Sequence, residues 1–119
     1  MTKHLASALI IALLIFSSLS ISKVRFLDDI LYPGDELDVL AVIANRDTGS
    51  ANDVRVLIDF PELGDSINGG RVDIASADHH SRVSTWNVPR SIMTGEYLVR
   101  IIASNDDGST RAFRRIVVD

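Results

Sequence analysis

At 119 residues the chain has room for one domain, and all sixteen acidic residues lie after Ile21, where Lys23 and ten arginines leave a net charge of −5. Each arginine except the Arg114-Arg115 pair stands alone among acids or strand residues, so no clustered basic face suited to nucleic acid is expected, and the negative balance works against anionic lipid. The absence of cysteine excludes disulfides and thiolate metal sites and leaves stability to sheet packing.

Lys3 and His4 precede an apolar run from Leu5 to Ile21, and no further charge occurs before Lys23. A short basic stretch followed by a long apolar one is an export pattern. As a helix the uncharged run is about 25 Å long at about 1.5 Å per residue, somewhat short of the roughly 30 Å hydrocarbon core of a bilayer. Residues 1–22 are therefore expected to be a signal peptide, with Ser20 and Ser22 at the small positions of a cleavage site, or a retained helix in the membrane or a filament core. No polar face interrupts Leu9 to Phe16, which argues against a core helix of a soluble protein. Residues 23–119 then form the folded domain.

From Val24 onward the apolar period is two. A first strand near Val24–Leu27 ends before Pro33-Gly34-Asp35, a turn sequence. Leu37, Val39, Ala41 and Ile43 share one face of a strand whose other face is also largely apolar, which describes a central position. Asn45 ends it, and the cluster through Gly49 leads into Val54, Val56, Ile58 and Phe60, a half-buried strand closed by Pro61. A polar loop through Gly64, Asn68, Gly69 and Gly70 is expected next, then short strands at Val72–Ala75 and Val83–Val88, with Pro89 closing the second. After Gly95, Tyr97, Val99, Ile101 and Ala103 alternate with Leu98, Arg100 and Ile102, and the Asn105-Asp-Asp-Gly turn joins this strand to Thr110–Val118. About seven short strands without helical periodicity after residue 23 predict an all-β, immunoglobulin-like antiparallel sandwich preceded by an N-terminal hydrophobic helix; an eight-stranded barrel is the alternative.

The segments Tyr32–Asn45, Asn52–Val56, Ser84–Pro89 and Thr94–Arg100, in this order and spacing, resemble CARDB-like and NEW3-like domains of prokaryotic surface proteins, especially those associated with archaeal S-layers. The resemblance covers about residues 24–119 and implies extracellular scaffolding or adhesion, with no shared catalytic residues. The structural positions within these motifs are Pro33 and Gly34 at a turn, Asn45 at a strand end, Trp86 as a buried anchor, Pro89 as a strand stop, and Gly95 and Tyr97 in a tyrosine-corner sequence. With no cysteine pair and a late tryptophan, an antibody-type domain is excluded.

Asp78, His79 and His80 are the one cluster of metal-ligand types, but neighbouring side chains in an extended segment point apart and the domain has no other histidine, so a solvated loop tip is expected and no metal site. Asn105-Asp106-Asp107-Gly108 and Asp28-Asp29 carry the oxygen ligands calcium needs without the spacing of a calcium loop. There is no nucleophile elbow, and Asn68-Gly69-Gly70 lacks the helix and lysine of a phosphate loop, so neither catalysis nor a cofactor is expected.

The leading expectation is a non-catalytic surface protein, an S-layer-associated or membrane-anchored scaffold exported through or anchored in the cytoplasmic membrane. Its partners are proteins or copies of itself, and the membrane where residues 1–22 are retained; no nucleic acid or small-molecule ligand is expected. The alternatives are a pilin-like subunit of an extracellular filament and a secreted carbohydrate- or peptide-binding module. A carbohydrate platform needs a row of exposed aromatics, whereas most of Phe26, Tyr32, Phe60, Trp86, Tyr97 and Phe113 fall at core-facing positions.

Overall fold

The computed structural model describes residues 18–28 and 30–119. Of the segment 1–22 expected as a leader or helix, residues 1–17 lie outside the described residues, as does Asp29 of the Asp28-Asp29 pair. Eight strands follow: β1 (Leu19–Phe26), β2 (Ile30–Leu31), β3 (Glu36–Asn45), β4 (Ala51–Phe60), β5 (Asp65–Ile74), β6 (His79–Asn87), β7 (Gly95–Asn105) and β8 (Gly108–Val118). One sheet has the order β1-β3-β6 and the other β2-β8-β7-β4-β5, and together they make an all-β, immunoglobulin-like sandwich. All neighbours are antiparallel except β2, which pairs parallel to the end of β8.

The alternating apolar residues define the core. Leu37, Val39, Ala41 and Ile43 of the three-stranded sheet are buried against Val54, Val56, Ile58, Phe60, Val99, Ile101 and Ala103 of the five-stranded one. Phe60 and Trp86 stack across the two sheets with ring centroids 3.8 Å apart and planes 16° apart. The Trp86 Nε1–H donates to Asp65 Oδ2 at 2.8 Å, so the indole is anchored at its polar end as well.

Three features differ from the sequence expectation, each for a physical reason. The sheet begins at Leu19, so Leu19–Ser22 belongs to a strand rather than to the leader helix: Leu19 is buried and Ile21 packs on the core, alternating with Ser20 and Ser22. A register shift at Ser22 lets Ile21 and Val24, three positions apart, both face inward. The expected loop is, from Asp65 on, instead the first half of β5: Asp65–Asn68 pairs with Leu57–Phe60, and Gly69 and Gly70 form a bulge at the register shift, which suits their poor strand propensity. The two-residue β2, with Leu31 fully buried, gave no periodic signal at all.

Several connections are fixed by short hydrogen-bonded turns. Tyr32-Pro33-Gly34-Asp35 is a tight turn with Asp35 N–H to Tyr32 C=O at 3.0 Å, and Gly34 supplies the φ of +87° it requires. Bonds from Gly34 N–H to the Val88 carbonyl and from Val88 N–H to the Asp35 carbonyl tie this turn to the end of β6, just before Pro89. Pro89 then opens a turn closed by Ile92 N–H. Gly95 starts β7 opposite Val118, and the Tyr97 hydroxyl donates back to the Met93 carbonyl at 2.6 Å.

Asn45 does the most of any polar residue. It is 1% exposed, and its Nδ2 lies within bonding distance of the carbonyls of Gly49, Ile74 and Ala75 while its Oδ1 accepts from Asp47 N–H. Its own N–H donates to the Asp78 carbonyl, so the β3–β4 and β5–β6 connections are sewn together through one amide.

Replacing Asn45 by Ala leaves buried carbonyls without a donor and is expected to cost about 1–3 kcal/mol, read from urea unfolding. A chain starting at Lys23 loses the burial of Leu19 and Ile21 and is expected to be less stable than one starting at Ser18 by about 2–5 kcal/mol, at roughly 1.5–3 kcal/mol per large apolar side chain before allowing for partial exposure.

Candidate interaction face

The outer face of the five-stranded sheet is built by alternation. On β4, Val54, Val56 and Ile58 point inward, so Arg55, Leu57 and Asp59 point out; on β7 the outward set is Glu96, Leu98, Arg100, Ile102 and Ser104. The register sets Arg115 opposite Leu98, Phe113 opposite Arg100 and Arg111 opposite Ile102. Across β4, Arg100 lies opposite Asp59, Ile102 opposite Leu57 and Ser104 opposite Arg55, which in turn faces Arg71 on β5. Arginines far apart in sequence therefore share one surface.

Two of these arginines are neutralised. Arg100 forms an ion pair with Asp59, and Arg71 bonds Asp53 at 3.2 Å, which leaves Arg55, Arg111 and Arg115 without acidic partners among the described residues. Apolar groups lie among them: Phe113 is 52% exposed, Val117 41% and Leu57 37%. Exposed aromatic and aliphatic groups interspersed with free guanidinium groups are the composition of a contact surface. The linear reading missed this face because only the strand register brings Arg55 together with Arg111 and Arg115; the usable signal was that 111, 113 and 115 share parity.

The other candidates do not converge. His79 and His80 sit on opposite sides of β6, facing Ala44 and Ile43 in the register, and Asp78 accepts from the His79 N–H at 2.8 Å. Asn105 Oδ1 accepts from the N–H groups of Asp107 and Gly108, which makes that acidic stretch a hairpin turn. Among the described residues no three His, Asp or Glu side chains are placed to hold a metal ion.

Between the edges of β5 and β6 runs an open groove of about 520 Å³, lined by Ile67, Asn68, Gly69, Ser81, Val83 and Thr85. Its floor is a structural clasp. Arg82 reaches from one sheet to the other and donates through Nε to the Gly69 carbonyl at 2.6 Å. A Cβ on Gly69 would meet Ser84 Oγ and Val56 at 3.1 Å, and one on Gly70, whose φ is +85°, would run into the Arg82 guanidinium.

No family model matches the sequence, and no curated protein matches it. Solved structures do match in fold. The CARDB domain of a Pyrococcus furiosus protein, solved in complex with di-metal ions, aligns with a TM-score of 0.66 at 11% identity over 87% of this chain and 90% of that one. An alkylpurine DNA glycosylase of Pseudomonas fluorescens bound to DNA aligns at 0.67 and 10% identity over 86% of this chain. A sporulation control protein of Bacillus subtilis aligns at 0.63 and 12% identity over 87% of this chain. The chain spans only 30% of the glycosylase and 50% of the sporulation protein. At such identities the likeness is one of fold, and the fold is CARDB-like. Among the described residues no helix is long and apolar enough to cross a membrane.

Gly70→Ala forces a side chain into the left-handed region and displaces Arg82, and is expected to cost about 1–3 kcal/mol. Thermal unfolding of the variant beside Gly49→Ala checks this, since a Cβ at Gly49 meets nothing within 4 Å.

Proposed function

We propose that the protein is a non-catalytic structural or adhesion module of the cell surface, an S-layer-associated or membrane-anchored scaffold that makes its contacts through the outer face of the five-stranded sheet. The observation that carries this reading is that Arg55, Arg111 and Arg115, with no ion-pair partner among the described residues, share one face with exposed Phe113, Leu57 and Val117. The CARDB-like fold and the basic-then-apolar pattern at the start of the sequence support the surface location.

A carbohydrate platform finds less support. Trp86 is 3% exposed beneath Phe60, and the exposed aromatics Tyr32 and Phe113 are not aligned as a row: Tyr32 follows the strand paired to Val118, five residues along β8 from Phe113. Peptide binding is favoured instead by the incomplete covering of β8.

Fractionation of the native host is expected to place the protein in the cell envelope, accessible to protease added to intact cells. The triple variant Arg55→Glu/Arg111→Glu/Arg115→Glu is expected to keep its unfolding midpoint, because exposed substitutions cost little, yet lose envelope retention by at least about tenfold. A cytosolic location of the wild-type chain would overturn the reading.

A further inference from the structure

Among the described residues, the side of β8 away from β7 is paired only by β2, at Val117 and Val118, which leaves Gly108–Ile116 without a ladder partner on that edge. Which backbone groups face that edge follows from three observations. The two-residue turn closes on the Asn105–Gly108 pair, so in a hairpin of this kind the even positions of β8 bond to β7. At the other end, Asp119 N–H donates to the Leu31 carbonyl on the β2 side. The Phe113 carbonyl accepts from the Arg114 guanidinium at 2.8 Å. The N–H and C=O groups of Ser109, Arg111, Phe113 and Arg115 therefore point outward.

β1 of the other sheet runs beside this edge without a ladder to it. Phe113 and Arg114 project from opposite sides of the strand and both are exposed, although Arg114 pairs with buried Val99 on the core side. Arg111, Arg114 and Arg115 thus place three positive charges within five residues, two on the outer face and one on the inner.

We propose that this edge binds an extended acidic peptide segment by strand addition. An added strand would continue on β8 the ladder that β2 begins at Val117 and Val118. Its outward side chains, two acids four residues apart with an apolar residue midway, would meet Arg111, Arg115 and Phe113, and an acid of the other parity would meet Arg114. A second copy fits poorly. Antiparallel β8 to β8 pairing centred on Phe113 sets Arg111 opposite Arg115 of the other copy, twice, and like charges directly opposite are destabilising. The arginines that reject self-pairing are thereby the ones that select an acidic strand.

The inference rests on the reading of the protein as a contact module, and the test separates the two. The probe is a fluorescent synthetic heptapeptide of sequence Thr-Glu-Thr-Val-Thr-Glu-Thr, capped at both ends, titrated with the full chain and followed by anisotropy. Saturable binding is expected. Methylating alternate backbone nitrogens on the edge-facing side is expected to weaken it at least about tenfold, as is Arg111→Glu/Arg115→Glu. Phe113→Pro removes one outward N–H without taking a bond from β7 and is expected to lose binding while keeping the unfolding midpoint. No binding, equal binding of the methylated peptide, or sedimentation showing that copies pair through this edge would each overturn the proposal. Loss of peptide binding with envelope retention intact would remove the strand-addition inference alone.

Discussion

The stack of Trp86 on Phe60 is the contact on which the two sheets depend. It joins the edge strand of the three-stranded sheet to an inner strand of the five-stranded one, and the indole N–H bond to Asp65 reaches the next strand over. Dispersion over two aromatic faces and a directed hydrogen bond act at the same point, so the apolar layer is fixed in orientation as well as in area. The Arg82 clasp to Gly69 works beside it, holding β5 and β6 together where backbone bonds between sheets are absent. With that side closed by side chains, the rest of the core follows from alternation along β3, β4 and β7.

The five-stranded sheet then gives an acidic domain a locally basic surface. On β4, β7 and β8 that outer face carries Asp59 and Glu96, outnumbered by Arg55, Arg100, Arg111 and Arg115, whose strand parity sends them to the same side. Net charge alone described the solubility of the molecule and hid this asymmetry. The same parity turns backbone groups of β8 toward the edge that, among the described residues, no ladder covers before Val117, so side-chain charge and unpaired ladder groups coincide.

Much of the fold was legible because buried strands write their period in apolar residues. Leu37 to Ile43, Val54 to Phe60 and Val99 to Ala103 are all buried on the faces their spacing indicated. What escaped detection lacked that signal. Asn68-Gly69-Gly70 has the composition of a loop, and it is held in β5 by the pairing of Asn68 with Leu57 and a bulge at Gly69 and Gly70 that lets Arg82 approach. Leu19–Ser22 merged with the apolar run before it, although its own alternation is that of a strand interrupted by a bulge. The arginine face is a property of register between strands, which no single segment carries.

Trp86 is the only tryptophan in the sequence, and it sits at the junction of the two layers. Its emission therefore reports the docking of one sheet on the other, while far-ultraviolet circular dichroism reports the strands themselves. A state in which the ladders persist but the layers part would separate the two signals, which makes cooperativity in this small sandwich directly observable without any added label.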